Sequence, residues 1–452
     1  MSALESTADH ALSITDEVER SLRPNERSHT FLGRTARRQL SVDGDGRKRL
    51  IGRRGSWGGY VHLATDEHEL YLSAPALAVG DVAALVDTGR ALLHLGGRQP
   101  SRVAAGLPDP DAADLGEWWN TERTLGLAEL SEDPSRIVDP IHEAAGSGVE
   151  LRSVHITEVL GESVYARSGL ARGRSGCRGV EIQAVAALPG GRTATALARY
   201  AASLEDIDLA AMGHELALAV VGATSVREAD SPARPFDGDR VVFTPNAAAQ
   251  LLSHVTAMLL ITPIARSLPL HTALVDDGRA SDGWAARGFD CEGTPTSLME
   301  LVTRDGVQQP MVTRLHSLAS SAEESAAKRL TGHALWDGMN NCPILSATNV
   351  RLEPCGDTGD TRAGEHCVVV DVRSLGVEEL RSGGHLAFRL LMVRVVDGRP
   401  YETLAPLSVE GEAIDFLAAI LAAGAPVSYS PGPFATAGAT LVMDLSCLPS
   451  RK

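Results

Sequence analysis

The stretch that decides the fold is Asp239–Arg266, DRVVFTPNAAAQLLSHVTAMLLITPIAR. Val241, Val242 and Phe243 favour a strand, Thr244 is a helix-capping residue, and Pro245 suits a first helical position because its missing N–H is not needed there. Leu251, Leu252, Val255, Met258 and Leu259 then recur at three- and four-residue steps, which predicts one buried helical stripe. Ser253 and His254 lie on the same turn, at right angles to one another around the axis, so they do not form a Ser-His dyad unaided.

Working outward, 452 residues allow two or three domains, each with its own core. Hydrophobic residues make up 44% of the chain but aromatics only 4%, so the cores must be built from Ala, Val and Leu. A net charge of -16 argues against nucleic acid or an anionic membrane as partner, since both are polyanions. The exception is Arg34–Arg54, whose dense basic residues read as a solvated face of paired strands. The six cysteines show no C-x-x-C pair and read as reduced thiols. With an acidic N-terminus in place of an export signal, the expected location is cytoplasmic.

The pattern predicts an α+β protein. Residues 1–30 read as an amphipathic helical extension, with Leu4, Ala8, Leu12 and Ile14 on one side. Residues 31–232 read as an N-terminal domain, an antiparallel sheet with helices on one side. Its expected strands include 39–42, 49–52, 59–63, 151–159, 164–166 and 180–188, and its expected helices are 79–95, 137–145 and 207–221. A Pro-rich stretch at 97–115 reads as a loop, and Ala229–Asp239 reads as the domain boundary. Residues 238–452 read as a β-rich C-terminal domain holding the cleft helix. Strands are expected at 298–303, 307–314, 349–353, 367–372, 388–396 and 441–445, a helix at 409–421, and hairpin turns at Arg304-Asp305-Gly306 and Asp397-Gly398.

The strand-Pro-helix stretch is followed in order by FDCEGTPTSLMELVTRDGV (Phe289–Val307), LTGHALWDG (Leu330–Gly338), SATNVRLEPCGD (Ser346–Asp357) and LSVEGEAIDFLAAI (Leu407–Ile420). This series resembles the TldD/PmbA family of paired metallopeptidase subunits. In the zinc-binding member of such a pair the helix carries His-Glu-x-x-x-His. Here Ser253 and Met258 stand at the two histidine positions and His254 at the glutamate position, so the chain is closest to the metal-free PmbA or TldE type. The resemblance implies no metal and no catalytic residue in this chain, with Ser253, His254 and Met258 as cleft candidates. It implies a zinc-bearing TldD-like partner in a heterodimer, acting on a peptide or amide substrate. It also implies that Gly293, Thr294 and Thr296 border a cleft where a peptide lies as an added strand. Because the family includes subunits that mature peptide-derived antibiotics, natural-product maturation is a further implication.

Two other readings stand beside this one. The chain is alternatively a homodimeric binding or scaffold protein that kept the fold and lost catalysis, or a metal-free hydrolase using His254 as general base. The bland reading of His254 is an imidazole on a buried helix face, bonded to a backbone carbonyl. His142-Glu143 and His214-Glu215 are followed four residues later by Gly146 and Leu218, so neither makes a two-histidine zinc helix, and both read as surface pairs. A metal assembled from His254, His271, His333 or His385 across segments is a weaker alternative. Glu292-Gly293-Thr294-Pro295-Thr296 lacks the lysine of a phosphate loop and reads as a fixed turn.

Overall fold

The structure is a computed structural model that describes residues 2–96, 117–119, 127–168, 171–228, 236, 238–264, 266–313, 330–336, 342–359, 363–375, 385–430 and 434–451. The expected loop at 97–115 and most of the expected boundary at 229–239 lie outside these residues.

The backbone of the N-terminal half is a set of long antiparallel strands. Arg27–Asp43 pairs with Lys48–Arg54, with Gly58–Ala64 and, over fifteen register positions from His29↔Arg167 to Asp43↔Ser153, with Glu150–Arg167. Glu150–Arg167 and Ala171–Ala187 form one long hairpin, followed by Ala194–Ala201. Sequence reading broke this hairpin into short strands because Gly161, Gly173, Gly176 and Gly179 look like loop residues. Near its tip the two strands stay in register up to Arg167↔Ala171.

Helices cover one face of this sheet. Ile137, Ile141, Met212 and Leu216 pack on Leu40, Val154, Ile156 and Ile182, while Ala11, Ile14 and Val18 pack on Leu32, Val61 and Val164. The N-terminal helix, Ser2–Ser21, is therefore docked by a stripe at 11, 14 and 18, and the chain is already in a strand at Arg27, earlier than the expected boundary at residue 30. Phe31 and Tyr165, one residue out of phase with the covered face, lie on the other side, where Phe289 and Cys291 join them.

The sheet does not stop at the expected domain boundary. Ser428–Ser430 pairs with Ala194–Ala201 through Tyr429↔Tyr200, which carries the sheet on through 435–438, 349–352, 274–277 and 298–302 to thirteen described strands. A second sheet, of eight described strands, holds Arg240–Phe243 between Glu365–Ser374, in parallel, and Leu441–Asp444, antiparallel. The architecture is α+β, as the sequence predicts.

Arg240–Phe243 leads into the helix Pro245–Ile261, whose start is built as the residues dictate. The Thr244 hydroxyl accepts from Ala247 N–H at 3.3 Å, and Pro245 occupies the first turn. Leu251, Leu252, Val255, Met258 and Leu259 are buried in one large core with Phe388, Phe416 and Ile420.

The Asp397-Gly398 turn forms with both residues at positive φ, 47° and 75°, the two-residue geometry that matches strand twist. Two expectations fail. Residues 307–313 make no strand, only an isolated bridge from Gln308 to Val302, because the turn at Gly306 returns Gln308 to cap Leu259 and Ile264 with its side chain. The expected helix at 409–421 is a strand, Leu407–Glu412, a short helix, Ala413–Ala418, and a strand, Ile420–Ala423, since Val409 is held opposite Phe388 in the second sheet.

Candidate functional site

Three sets of side chains compete for a functional role, and the fold treats them differently. On the cleft helix, Met258 is 1% exposed and packed into the core, whereas Ser253 and His254 are half-buried. The His254 ring lies against Phe388, with centroids 5.5 Å apart, and burial pushes its imidazole below the ordinary value.

Zinc does not fit this helix. A buried thioether and a hydroxyl are poor zinc ligands beside the imidazole, carboxylate and thiolate donors such sites use. Among the described residues no group of three His, Cys, Asp or Glu side chains converges. The histidines of the cross-segment alternative are dispersed: His271 is exposed, His385 sits in a strand, and His333 is engaged elsewhere.

His333 belongs to the second set, two buried carboxylates that tie the loops together. Asp276 accepts from His333 Nε2 at 2.7 Å, from Thr348 Oγ1 at 2.7 Å, and from the N–H groups of Thr348 and Asn349. Burial alone would push this carboxyl up, but the bonds from His333 and Thr348 outweigh it and hold it below the usual range. Asp290 accepts from Glu292 N–H at 2.9 Å, Thr294 N–H at 2.8 Å and Ala334 N–H at 3.0 Å.

These bonds build the turn containing Gly293, Thr294 and Thr296. Gly293 has φ of 76°, and a Cβ there would lie 2.4 Å from the Tyr165 ring, so the turn sits directly on the N-terminal sheet. Thr294 and Thr296 are buried, and the Thr296 hydroxyl donates to Arg287 O. Tyr60 reinforces the dock by donating to Cys291 O at 2.6 Å.

The third set is the cleft that this docking leaves open. It measures about 600 Å³ and is walled by Phe31 and Gly33 on one strand, Glu162, Ser163 and Cys177 on the long hairpin, Trp284 to Arg287 on the loop, and Leu335, Trp336 and Ala347 beyond it. Arg34 and Glu162 form a buried ion pair on its wall, with the Arg34 guanidinium 4.8 Å over the Trp57 ring. Burial pushes the Cys177 thiol up to about 11, so it lines the cleft as a neutral group and not as a nucleophile. Neither Ser253, His254 and Met258 nor Gly293, Thr294 and Thr296 line this space. Sequence reading missed Trp284 and Arg287. The available signal was a Trp and an Arg just ahead of Phe289 in an aromatic-poor chain.

The histidine-glutamate pairs resolve differently. His142 and Glu143 are exposed, as expected of a surface pair. Glu215 is not: it is buried, paired with Arg199, and accepts from Asn246 N–H at 2.7 Å in the first turn of the cleft helix. The basic run behaves as expected at Arg38, which reaches Glu158 at 3.3 Å from an exposed position, but Arg34 is buried.

Residues 239–446, the segment that holds the cleft helix and both buried carboxylates, match the model of the PmbA/TldA metallopeptidase C-terminal domain. That C-terminal segment belongs to the TldD/PmbA family. Solved structures share the fold of the whole chain. TldE from Thermococcus kodakarensis is 13% identical, with a TM-score of 0.68 over 96% of this chain and 98% of that one. A candidate modulator of a DNA gyrase from Thermotoga maritima is 13% identical, with a TM-score of 0.64 over 95% and 98%. A candidate modulator of DNA gyrase from Bacteroides thetaiotaomicron is 14% identical, with a TM-score of 0.64 over 97% and 98%. A comparison with curated protein sequences finds no match. No helix among the described residues is long and apolar enough to cross a membrane.

Proposed function

We propose that this chain is the non-zinc subunit of a TldD/TldE-like heterodimeric metallopeptidase or amide hydrolase. The carrying observation is the cleft helix. At the two places where the zinc-bearing members carry histidine stand Ser253 and Met258, and Met258 is spent on the core. A side chain built into packing at 1% exposure is not a ligand waiting for its metal. Zinc, in this reading, is held by a TldD-like partner in the cytoplasm, and this chain shapes access to a peptide or amide substrate. The fold shared with the Thermococcus kodakarensis protein named TldE supports the same assignment.

Gly293, Thr294 and Thr296 line no part of the 600 Å³ cleft, so in this reading their turn, fixed on Asp290 and Tyr165, acts from beneath by holding the loop that carries Trp284 and Arg287 on the N-terminal sheet. Maturation of a peptide-derived natural product is the setting that the family resemblance offers for such a pair.

The test is hydrolysis of unstructured peptides by this chain alone, by a His-Glu-x-x-x-His relative from the same genome alone, and by the two co-expressed. Activity that needs both chains, and that survives His254→Ala, is the expected result. Activity of this chain alone that is abolished by His254→Ala would replace this reading with a metal-free hydrolase.

A further inference from the structure

We infer that the 600 Å³ cleft between the long hairpin and the loop 284–287 is a binding site for a carboxylate-bearing ligand with an apolar or aromatic body, read by Arg287 and Trp284. This goes beyond the subunit assignment and concerns this chain by itself.

Arg287 lines the cleft, and its Nε and Nη2 are buried with no hydrogen-bond acceptor. Asp290 faces Arg287 as a charge, but its oxygens accept from the N–H groups of Glu292, Thr294 and Ala334 and make no hydrogen bond to the guanidinium. The other cationic side chain on the wall, Arg34, is balanced by Glu162. Two donor positions of the Arg287 guanidinium are therefore left without an acceptor. Trp284, which also lines the cleft, has its Nε1 as a buried donor with no acceptor, while its ring packs edge-on against Tyr200 at 5.9 Å.

Buried polar groups are nearly always paired, and a desolvated cation without an acceptor is costly. Here Arg287 Nε and Nη2 and Trp284 Nε1 are donors without an acceptor, on residues that line one cleft. The chemistry that answers them is an anion with two acceptor oxygens, because a guanidinium meets a carboxylate through paired parallel hydrogen bonds. The rest of the wall says what the carboxylate is attached to. Phe31, Pro75, Leu335, Ala347 and the faces of Trp284 and Trp336 offer apolar contact, and the volume is that of an ordinary small-ligand site. A peptide C-terminus and a small aromatic acid share this chemistry.

The test uses the full chain and four probes: N-acetyl-phenylalanine, N-acetyl-Ala-Ala-Phe, and the C-terminal amide of each. Binding is read by calorimetry and by the indole N–H resonance of Trp284, assigned through Trp284→Phe. The acids are expected to bind about tenfold or more tightly than their amides, the cost of losing a charge-assisted pair, and to shift the Trp284 resonance. Arg287→Gln should bring the acids down to the level of the amides, and Arg287→Lys should restore part of the difference. A tripeptide acid that binds more tightly than the single residue identifies a peptide C-terminus, and equal affinities identify a small acid. Acids and amides that bind alike to the unaltered chain, or four probes that all fail at millimolar concentration, overturn the inference whether or not Arg287→Gln folds. So does Arg287→Gln that folds and binds the acids unchanged.

Discussion

His333 Nε2 and the Asp276 carboxylate lie 2.7 Å apart at the centre of the loop cluster, both essentially buried, at 1% and 0% exposure. That one contact joins the strand Leu274–Asp277 to the segment that precedes Trp336 on the cleft wall, and Asp276 extends it to Thr348 and Asn349. Removing the acceptor strands several buried donors at once. Asp276→Ala should therefore cost about 3–5 kcal/mol of stability in urea unfolding, the range for breaking a buried pair by deleting one partner. A loss under about 1 kcal/mol would show that the cluster is not held this way.

The same carboxylate sets an acid limit. Its folded value is depressed, so the stability it contributes is fully present above the unfolded value of about 4 and is lost as pH falls through the folded value. The stability gap between the unaltered chain and Asp276→Asn should hold from neutral pH to about pH 4 and shrink below it. Urea midpoints of both proteins across this range check the sign. A gap that widens on acidification contradicts it.

Glu215 and Arg199 give a second buried pair, one that also anchors the start of the cleft helix through Asn246 N–H. Glu215→Gln keeps an acceptor for that N–H but leaves the Arg199 charge buried, so it should cost about 3–5 kcal/mol. Adding Arg199→Met should return at least half of the loss, because the double variant no longer buries a lone charge. Denaturant unfolding of the three proteins decides. A double variant weaker than the single would mean that the two groups act independently.

Met258 separates a core position from a latent ligand. Met258→Leu should cost less than about 1.5 kcal/mol, since volume is kept. Met258→His should cost more than about 2 kcal/mol, since an imidazole enters the core without a partner. A folded Ser253→His/Met258→His protein that takes up one zinc in calorimetry would contradict the core placement.

Local signals carried the cleft helix: Thr244, Pro245 and the apolar stripe act within a few residues of one another, and no distant contact is needed to read them. Met258 was visible in that stripe as well as in the motif alignment, and its burial follows the stripe. The continuous sheet was not legible, because the Tyr429↔Tyr200 pairing that carries it across the chain joins strands far apart in sequence. Leu407–Ile420 was ambiguous for a physical reason. Ile414, Phe416 and Leu417 fit a helix and Leu407, Val409 and Gly411 fit an alternating strand, and pairing with Leu390, Phe388 and Leu386 decided the first part. The cleft was invisible because Phe31, Cys177, Arg287 and Trp336 come from four segments that only the tertiary fold brings to one wall. Glu215 looked like half of a surface pair because its partners, Arg199 and the N-terminus of the cleft helix, lie on other elements.

The central claim is that this chain completes a zinc-bearing partner and holds no zinc of its own. Native mass spectrometry of the chain co-expressed with the His-Glu-x-x-x-His relative from its own genome reads stoichiometry and metal in one spectrum. The account predicts a one-to-one complex carrying a single zinc, with this chain metal-free when expressed alone. A homodimer that ignores the relative, or a zinc ion retained by this chain in isolation, would contradict it.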